Sequence, residues 1–358
     1  MSVERAETAE SPERQSPAYL RTSLAAALTL GLSRGLFHRD ARLHCINLLL
    51  TYPEGCRARC AYCGLSGRRI GPYGSKSFIR VPWPTVPLED IVERIAIRRD
   101  RIRRICLSMI AHARAVEDTK EICSRLRASV DIPVSLLIAP TLVSGKDLEH
   151  FRAAGADKIG VAIDLATPEL FERHRGSGVG GPHRWEKYWS CLSEALAVFG
   201  PGQAGAHLMV GMGETDREMC RAIQRVRDMG GRTHLFSFYP EAGSLMEEVP
   251  PPPLGRYRRV QIARYLIDGG TARESAFRYD RTGGVTAFGV PDDMLDRIVG
   301  SGEPFRTSGC TGGDGEVACN RPFANSRPGE EIRNYPFSPE PEDLESIRRQ
   351  LQGGGGTR

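Results

Sequence analysis

The amino-acid sequence predicts an α/β fold: a partial (β/α)6, TIM-like barrel with an N-terminal helical extension and a C-terminal tail that contains cysteines. Three observations indicate this fold class. Six short apolar segments recur along the chain, segments with a helical spacing of apolar residues alternate with them, and 358 residues suffice for one barrel-sized domain with extensions. Short apolar strands that alternate with amphipathic helices indicate parallel βα units, with helices covering the sheet.

Each element follows from its local pattern. The predicted strands are short, mostly apolar runs: Cys45–Leu50, Ile105–Ile110, Val134–Ile138, Lys158–Ile163, His207–Val210 and His234–Phe238. The predicted helices carry apolar residues three or four positions apart: Asp118–Ser129, Lys146–Ala154, Trp185–Val198, Asp216–Met229 and Tyr257–Ile267. In a barrel of this kind, the functional site is expected at the carboxyl ends of the strands.

The two ends of the chain are predicted to extend the barrel. Met1–Gln15 is polar and is expected to be a disordered leader, and leucines spaced four residues apart predict a helix over Ala18–Leu36. The predicted organisation is one domain, with the leader and helix over 1–40, the barrel over 41–295 and the tail over 296–358.

The composition argues against several classes of function. The sequence has no run of 18 or more apolar residues, so no membrane span is expected. The net charge of +5 rests on arginine-rich stretches without stacking aromatic residues or a recognition motif, so no nucleic-acid partner is expected. No apolar signal segment precedes the ten cysteines, so a cytoplasmic location is expected, where clustered cysteines indicate metal or redox chemistry.

Three cysteines lie close together directly after the first predicted strand. Cys56, Cys60 and Cys63 have the spacing C-x3-C-x2-C. Three thiolates can hold three irons of a cubane [4Fe–4S] cluster and leave the fourth iron open to a substrate or cofactor. A closed zinc site would need a fourth ligand at fixed tetrahedral geometry. The triplet therefore favours an open iron–sulfur cluster over structural zinc or three buried cysteines.

With this triplet, the chain resembles the radical S-adenosylmethionine (SAM) superfamily. Tyr62 agrees, because the family usually carries an aromatic residue just before the third cysteine. The resemblance implies that Cys56, Cys60 and Cys63 are both the cluster ligands and the catalytic residues. It further implies reductive cleavage of SAM to a 5′-deoxyadenosyl radical, with the electron coming from an external donor such as flavodoxin or ferredoxin.

The same resemblance implies SAM contacts at the end of the fourth strand. Asp164 is placed to accept hydrogen bonds from the ribose hydroxyls, and Arg173 or Arg175 is placed to hold the SAM carboxylate in a bidentate fork. The alternative for Asp164 is a helix cap or Asx turn before Thr167.

Two further strand ends are assigned to SAM by this resemblance. The fifth strand ends in a Gly-x-Gly-Glu segment, whose Gly211, Gly213 and Glu214 are expected beside the adenine. The family often has a Gly-Gly-Glu-like turn after the second strand that receives the SAM ammonium group. Here the turn begins at Ser108 and runs to His112, so the expected ammonium contact is to backbone carbonyls.

Within the superfamily, the chain resembles the biotin-synthase-like group. Biotin synthase holds a sacrificial [2Fe–2S] cluster with three cysteines and one arginine from inside its barrel, and Cys106 alone matches that set. Biotin synthase itself is therefore disfavoured. Cys106 is left with two interpretations, a cluster-related thiol or an ordinary buried residue.

The tail carries Cys310 and Cys319 on either side of a glycine-rich loop. Similar tails occur in the two-component, archaeal-type lipoyl synthases. That likeness implies an auxiliary iron–sulfur cluster that supplies sulfur. Two cysteines are too few for a cluster, so Cys45, His112, His207 or a partner subunit is expected to complete it. The alternatives are free thiols or a metal clip that fastens the tail.

The resemblance therefore implies an enzyme that inserts sulfur into an unactivated C–H bond. Its expected partners are SAM, a second radical SAM subunit and an acyl-carrying protein domain as substrate. The alternatives are a methylornithine-type rearrangement, hydrogenase-cofactor maturation, natural-product tailoring, or a non-catalytic Fe–S or zinc accessory subunit. The open iron and the Gly-x-Gly-Glu segment favour an enzyme over an accessory subunit.

Overall fold

A computed structural model describes residues 14–321 and 331–353 of the chain. The strands are β1 (Tyr19–Thr22), β2 (Cys45–Leu50), β3 (Thr85–Pro87), β4 (Arg104–Ser108), β5 (Val134–Ile138), β6 (Ala156–Asp164), β7 (Ala204–Val210), β8 (Arg232–Ser237), β9 (Arg278–Tyr279) and β10 (Val285–Ala287). The helices are α1 (Leu24–Leu30), α2 (Leu88–Ile97), α3 (Ala115–Ser129), α4 (Gly145–Ala153), α5 (Pro168–His174), α6 (Trp185–Phe199), α7 (Asp216–Asp228), α8 (Leu254–Asp268), α9 (Asp292–Ser301) and α10 (Pro341–Gln352).

Strands β1 to β8 form one sheet in the order β3-β1-β2-β4-β5-β6-β7-β8. The six strands from β2 to β8 along this order are parallel, and they are the six predicted from the sequence. Every residue of β2 and of β4 is buried, which explains why neither strand alternates between apolar and polar residues. The predicted α/β class with a mostly parallel sheet is confirmed, and the sheet is consistent with a partial barrel.

The predicted helix over Ala18–Leu36 is wrong in its first part. Residues Tyr19–Thr22 form β1, which pairs antiparallel with β2 and with β3. Helix α1 starts only after Ser23, whose side chain accepts a hydrogen bond from the backbone of Ala26, and it ends before Gly31. Pairing with β2 therefore overrides the leucine spacing. Most of the predicted leader, residues 1–13, lies outside the described residues.

The tail packs across the amino-terminal parts of the strands. Arg104, the first residue of β4, donates a hydrogen bond of 2.6 Å from Nε to the carbonyl of Thr311. On β8, the amide of Leu235 donates to the Oγ of Ser308 at 3.0 Å. Helix α10 packs against α8. None of the helices in the described ranges is long and apolar enough to cross a membrane.

Candidate functional site

The cysteine loop lies at the carboxyl end of β2. Cys56, Cys60 and Cys63 pack together around Ala58 and Ala111. The loop backbone is tied to its surroundings: the amide of Arg57 donates to the carbonyl of Ala111 at 2.8 Å, and the amide of Ala61 donates to the carbonyl of His174 at 2.8 Å. The structure therefore gathers the three predicted cysteines at the edge of the sheet where the site was expected.

The segment after the triplet, residues 64–83, folds back beside the cysteine loop. Arg21 of β1 is buried and donates to the carbonyls of Trp83 at 2.9 Å and Tyr73 at 3.1 Å. Gly64 is required for this close approach, because a Cβ at that position would lie 2.4 Å from the carbonyl oxygen of Ser77. Sequence reasoning missed Arg21, because its partners lie far from it in the chain.

Burial controls the protonation of the three thiols. It raises the pKa of Cys60 to about 12 and that of Cys63 well above its usual value. Burial also raises the pKa of Cys56, although the backbone N–H groups of Ala111 and Ala58 oppose the rise. Thiols in such surroundings become thiolates when iron binds them, because the metal's charge replaces the lost hydration.

The three soft thiol donors fit a cluster that is bound one thiol to each iron. Within residues 14–321 and 331–353, no three His, Cys, Asp or Glu side chains are arranged to hold a single metal ion. The three thiols instead border one cavity of about 200 Å³. Cys56, Cys60 and Cys63 would therefore hold the cluster at the border of this cavity.

Asp164, Arg175 and Tyr62 form one buried group on the cavity wall. The Tyr62 hydroxyl donates to Oδ2 of Asp164 at 2.6 Å, and Arg175 Nη1 is paired with the same carboxylate oxygen. Asp164 has a positive φ of 66°, which is uncommon for a residue other than glycine. Helix α5 is capped by Thr167, so Asp164 is not its N-cap.

Of the other residues predicted to contact SAM, one lines the cavity and the rest lie outside its lining. Ser108 lines the cavity, whereas Arg173 is exposed and is not among the described residues that line it. The Gly211–Glu214 segment is likewise outside that lining. There Glu214 accepts backbone hydrogen bonds from Gly211 at 2.9 Å and from Met212 at 2.8 Å, and Arg256 pairs with it at 2.7 Å. The adenine contact of this segment stays a prediction.

Glu241 is a cavity residue that sequence reasoning missed. Its side chain is buried and accepts hydrogen bonds from the Oγ of Ser77 at 2.5 Å and from the backbone of Arg80 at 2.7 Å. It follows β8, two residues after the aromatic residue Tyr239. Its only signal in the sequence was its position after a strand.

A second group of cysteines lies at the amino-terminal part of the sheet. Cys45, Cys106 and Cys319 are packed together with exposures of 0%, 7% and 8%, and Cys310 packs against them. Here β2 and β4 meet the tail. The Sγ of Cys310 also lies 3.9 Å from the Nε2 of His234. The structure therefore places both tail cysteines beside Cys45, one of the residues expected to complete their site.

Protonation differs among these four thiols. Burial raises the pKa of Cys45, that of Cys106 to about 11 and that of Cys310 to about 12. The pKa of Cys319 is lowered to about 6, because Cys45 hydrogen-bonds its sulfur, and the backbone and charge of Arg321 stabilise the thiolate further.

The two histidines proposed as partners of the tail cysteines lie in different places. His112 stacks on Tyr52 with ring centroids 3.8 Å apart and lies 3.4 Å from Glu54, beside the triplet loop. It is therefore not part of the second cysteine group. His207 lines the cavity of about 200 Å³ and also a smaller cavity beside Cys106, Cys310 and Cys319. Its ring lies 5.3 Å from that of His234.

One family model matches part of the chain. Residues 50–226 match the sequence model of the Radical SAM superfamily. No curated protein sequence matches the chain significantly.

Among solved structures, the chain is similar to HydG, a maturase of the [FeFe]-hydrogenase, with 11% identity, a TM-score of 0.50 and coverage of 69% of this chain and 58% of that one. It is also similar to HydG from Carboxydothermus hydrogenoformans, with 13% identity, a TM-score of 0.49 and coverage of 92% and 70%. HemN from Escherichia coli is 14% identical to this chain, with a TM-score of 0.38 and coverage of 60% of this chain and 50% of HemN. This chain thus spans 58% of the first HydG structure, and the likeness concerns the fold alone.

Proposed function

We propose that the chain, whose residues 50–226 match the Radical SAM superfamily model, inserts sulfur into an unactivated C–H bond, as lipoyl synthases do. That superfamily implies a [4Fe–4S] cluster and SAM. The proposed substrate is an octanoyl chain carried on a protein domain. The proposed partners are a second radical SAM subunit and an electron donor such as flavodoxin or ferredoxin.

One observation carries the proposal: the cavity of about 200 Å³ beside Cys56, Cys60 and Cys63 lies between two groups of cysteines. The triplet borders it at the carboxyl ends of the strands. His207, Phe236 and Arg321 line both this cavity and the smaller one beside Cys106, Cys310 and Cys319. A substrate in the cavity beside the triplet would thus lie between a site for hydrogen abstraction and a site that can carry sulfur. A rearrangement would need no second group of thiols.

The chain's own residues have distinct roles in this proposal. Cys56, Cys60 and Cys63 would hold the cluster, which together with SAM supplies the 5′-deoxyadenosyl radical. Asp164, held by Tyr62 and Arg175, would accept the ribose hydroxyls. Both of these contacts use Oδ2 of the carboxylate.

The apolar part of the cavity suits an alkyl chain. Leu49, Met209 and Phe236 are among its lining residues, and a hydrocarbon placed against them is shielded from water. Shielding matters for this chemistry, because a carbon radical exposed to solvent or to other hydrogen donors is lost to side reactions.

An isotope experiment tests the proposal. The chain is reconstituted anaerobically with iron and ³⁴S-sulfide and is then given SAM, dithionite and an octanoyl-lysine peptide. We expect 5′-deoxyadenosine and a thiolated peptide that contains ³⁴S. Formation of 5′-deoxyadenosine with a rearranged or desaturated product, and without a C–S bond, would overturn the sulfur-insertion proposal and leave the radical SAM assignment intact.

A further inference from the structure

We infer that Cys45, Cys106, Cys310 and Cys319 are the ligands of a second iron–sulfur cluster, held where the tail closes the amino-terminal part of the barrel. This inference deepens the proposed function, because it names the complete ligand set of the sulfur-carrying site. Two of the four ligands come from barrel strands and two from the tail.

The sheet register places the two strand cysteines on neighbouring strands. Cys45 is the first residue of β2, and Cys106 lies opposite Asn47 on β4. Cys45 and Asn47 are two residues apart on one strand, so their side chains share a face of the sheet. Cys45 and Cys106 are therefore offset neighbours on that face, where the tail cysteines meet them.

The tail holds its two cysteines side by side through backbone pairing. The amides of Ala318 and Cys319 both donate to the carbonyl of Cys310 at 3.0 Å. Gly309 permits this approach, because a Cβ on it would lie 1.6 Å from the carbonyl oxygen of Cys319. The glycine-rich stretch therefore builds a tight turn that presents two thiols in one direction.

The surroundings suit anionic sulfur. Arg104 and Lys158 lie near Cys310, where Asp157 also lies, and Arg321 and His234 lie near Cys319, so cationic or hydrogen-bonding groups adjoin both tail thiols. The Nδ2 of Asn47 donates to the Sγ of Cys45 at 3.7 Å. Hydrogen bonds to the ligating sulfurs and compensating charge are what proteins use to stabilise iron–sulfur clusters.

The cysteines are not simply small core residues. Cys123, Cys191 and Cys220 are buried on helices and are not in this group, whereas the four inferred ligands form one cluster apart from the main core. A small cavity of about 20 Å³ borders Cys106, Cys310 and Cys319. Zinc would need the sulfurs to converge on one point, whereas an iron–sulfur cluster distributes its ligands over separate irons.

A variant without the radical-generating site tests this inference. In Cys56→Ala/Cys60→Ala/Cys63→Ala, reconstituted anaerobically with iron and sulfide, we expect about two or about four irons per chain with matching sulfide. Mössbauer and EPR spectra should be those of a cluster with four thiolate ligands. Adding Cys45→Ala or Cys106→Ala should remove most of this iron. Cys220→Ala, which changes a buried cysteine outside the group, is the matched control and should remove none.

Three results would overturn the inference: no iron in the triple variant, one zinc in place of the cluster, or undiminished iron after Cys45→Ala and Cys106→Ala. If those variants fail to fold, iron counting on the unmodified chain decides instead. About four irons in a single cluster would reject a second site, and a larger count resolved into two clusters would support it. A second cluster without any thiolated product would contradict the proposed function and leave this inference standing.

Discussion

Arg321 of the tail donates a hydrogen bond of 2.8 Å from Nη1 to the Oγ of Ser108 at the carboxyl end of β4. Cys319, two residues before Arg321 in the chain, packs beside Cys45 at the opposite end of the same sheet. The Arg321 side chain therefore spans the barrel interior, between the second cysteine group and the cavity that borders the triplet. This contact ties the position of the tail to the shape of the cavity.

Asp164 is predicted to bind the SAM ribose. Asp164→Ala should weaken SAM binding by about 1–3 kcal/mol, or about 5- to 150-fold in affinity, because hydrogen bonds to a charged acceptor are lost. Isothermal titration on the reconstituted chain measures this affinity. Thr167→Ala is the matched control, because Thr167 caps α5 three residues away. An unchanged SAM affinity in Asp164→Ala would remove Asp164 from the binding site.

Gly309→Ala should disrupt the docking of the tail. Its Cβ would meet the carbonyl of Cys319 at 1.6 Å, so the turn must open, at a cost of about 1–3 kcal/mol or more. Urea unfolding measures the loss in the free energy of unfolding, and limited proteolysis reports whether the tail has become accessible. Gly313→Ala is the control, because its Cβ would lie 3.8 Å from the nearest atom, on Pro133. Equal stability of the two variants would show that the Gly309 approach is not needed.

His183 should make the stability of the chain depend on pH. Burial, with the nearby charge of Arg175, lowers its pKa to about 2, so it stays neutral in the folded chain. The unfolded chain binds a proton at His183 below about pH 6.5, which means that stability is lost as the pH falls. In the unmodified chain, His183 should lower the free energy of unfolding by up to about 1.4 kcal/mol for each pH unit between about pH 6.5 and 5, and His183→Gln should remove this contribution.

Urea unfolding of the metal-free chain at several pH values measures this dependence. His150→Gln, at an exposed position on α4, is the comparison and should leave the slope as it is. If the two variants have the same slope, His183 is not held neutral.

The local patterns of the sequence predicted most of the parallel sheet and the triplet. The six parallel strands are short, mostly apolar runs, and Cys56, Cys60 and Cys63 lie within eight residues, so both signals are local. Strand β1 was missed because its one leucine, Leu20, fits the helical spacing of the leucines that follow it, and its pairing with β2 is a long-range contact. The second cysteine group was seen in part, because Cys106 joins Cys310 and Cys319 only through the folded tail.

In the proposed function, radical generation and sulfur supply take place at separate sites in one chain. The most direct measurement quantifies 5′-deoxyadenosine and thiolated peptide together, by mass spectrometry, in Cys310→Ala/Cys319→Ala and in Cys60→Ala. We expect the tail double variant to form 5′-deoxyadenosine but no thiolated peptide. Cys60→Ala should form neither product. It should keep its fold, because the cysteine loop lies outside the strands. Thiolated peptide at an undiminished yield from the double variant, or 5′-deoxyadenosine from Cys60→Ala, would contradict the proposed function.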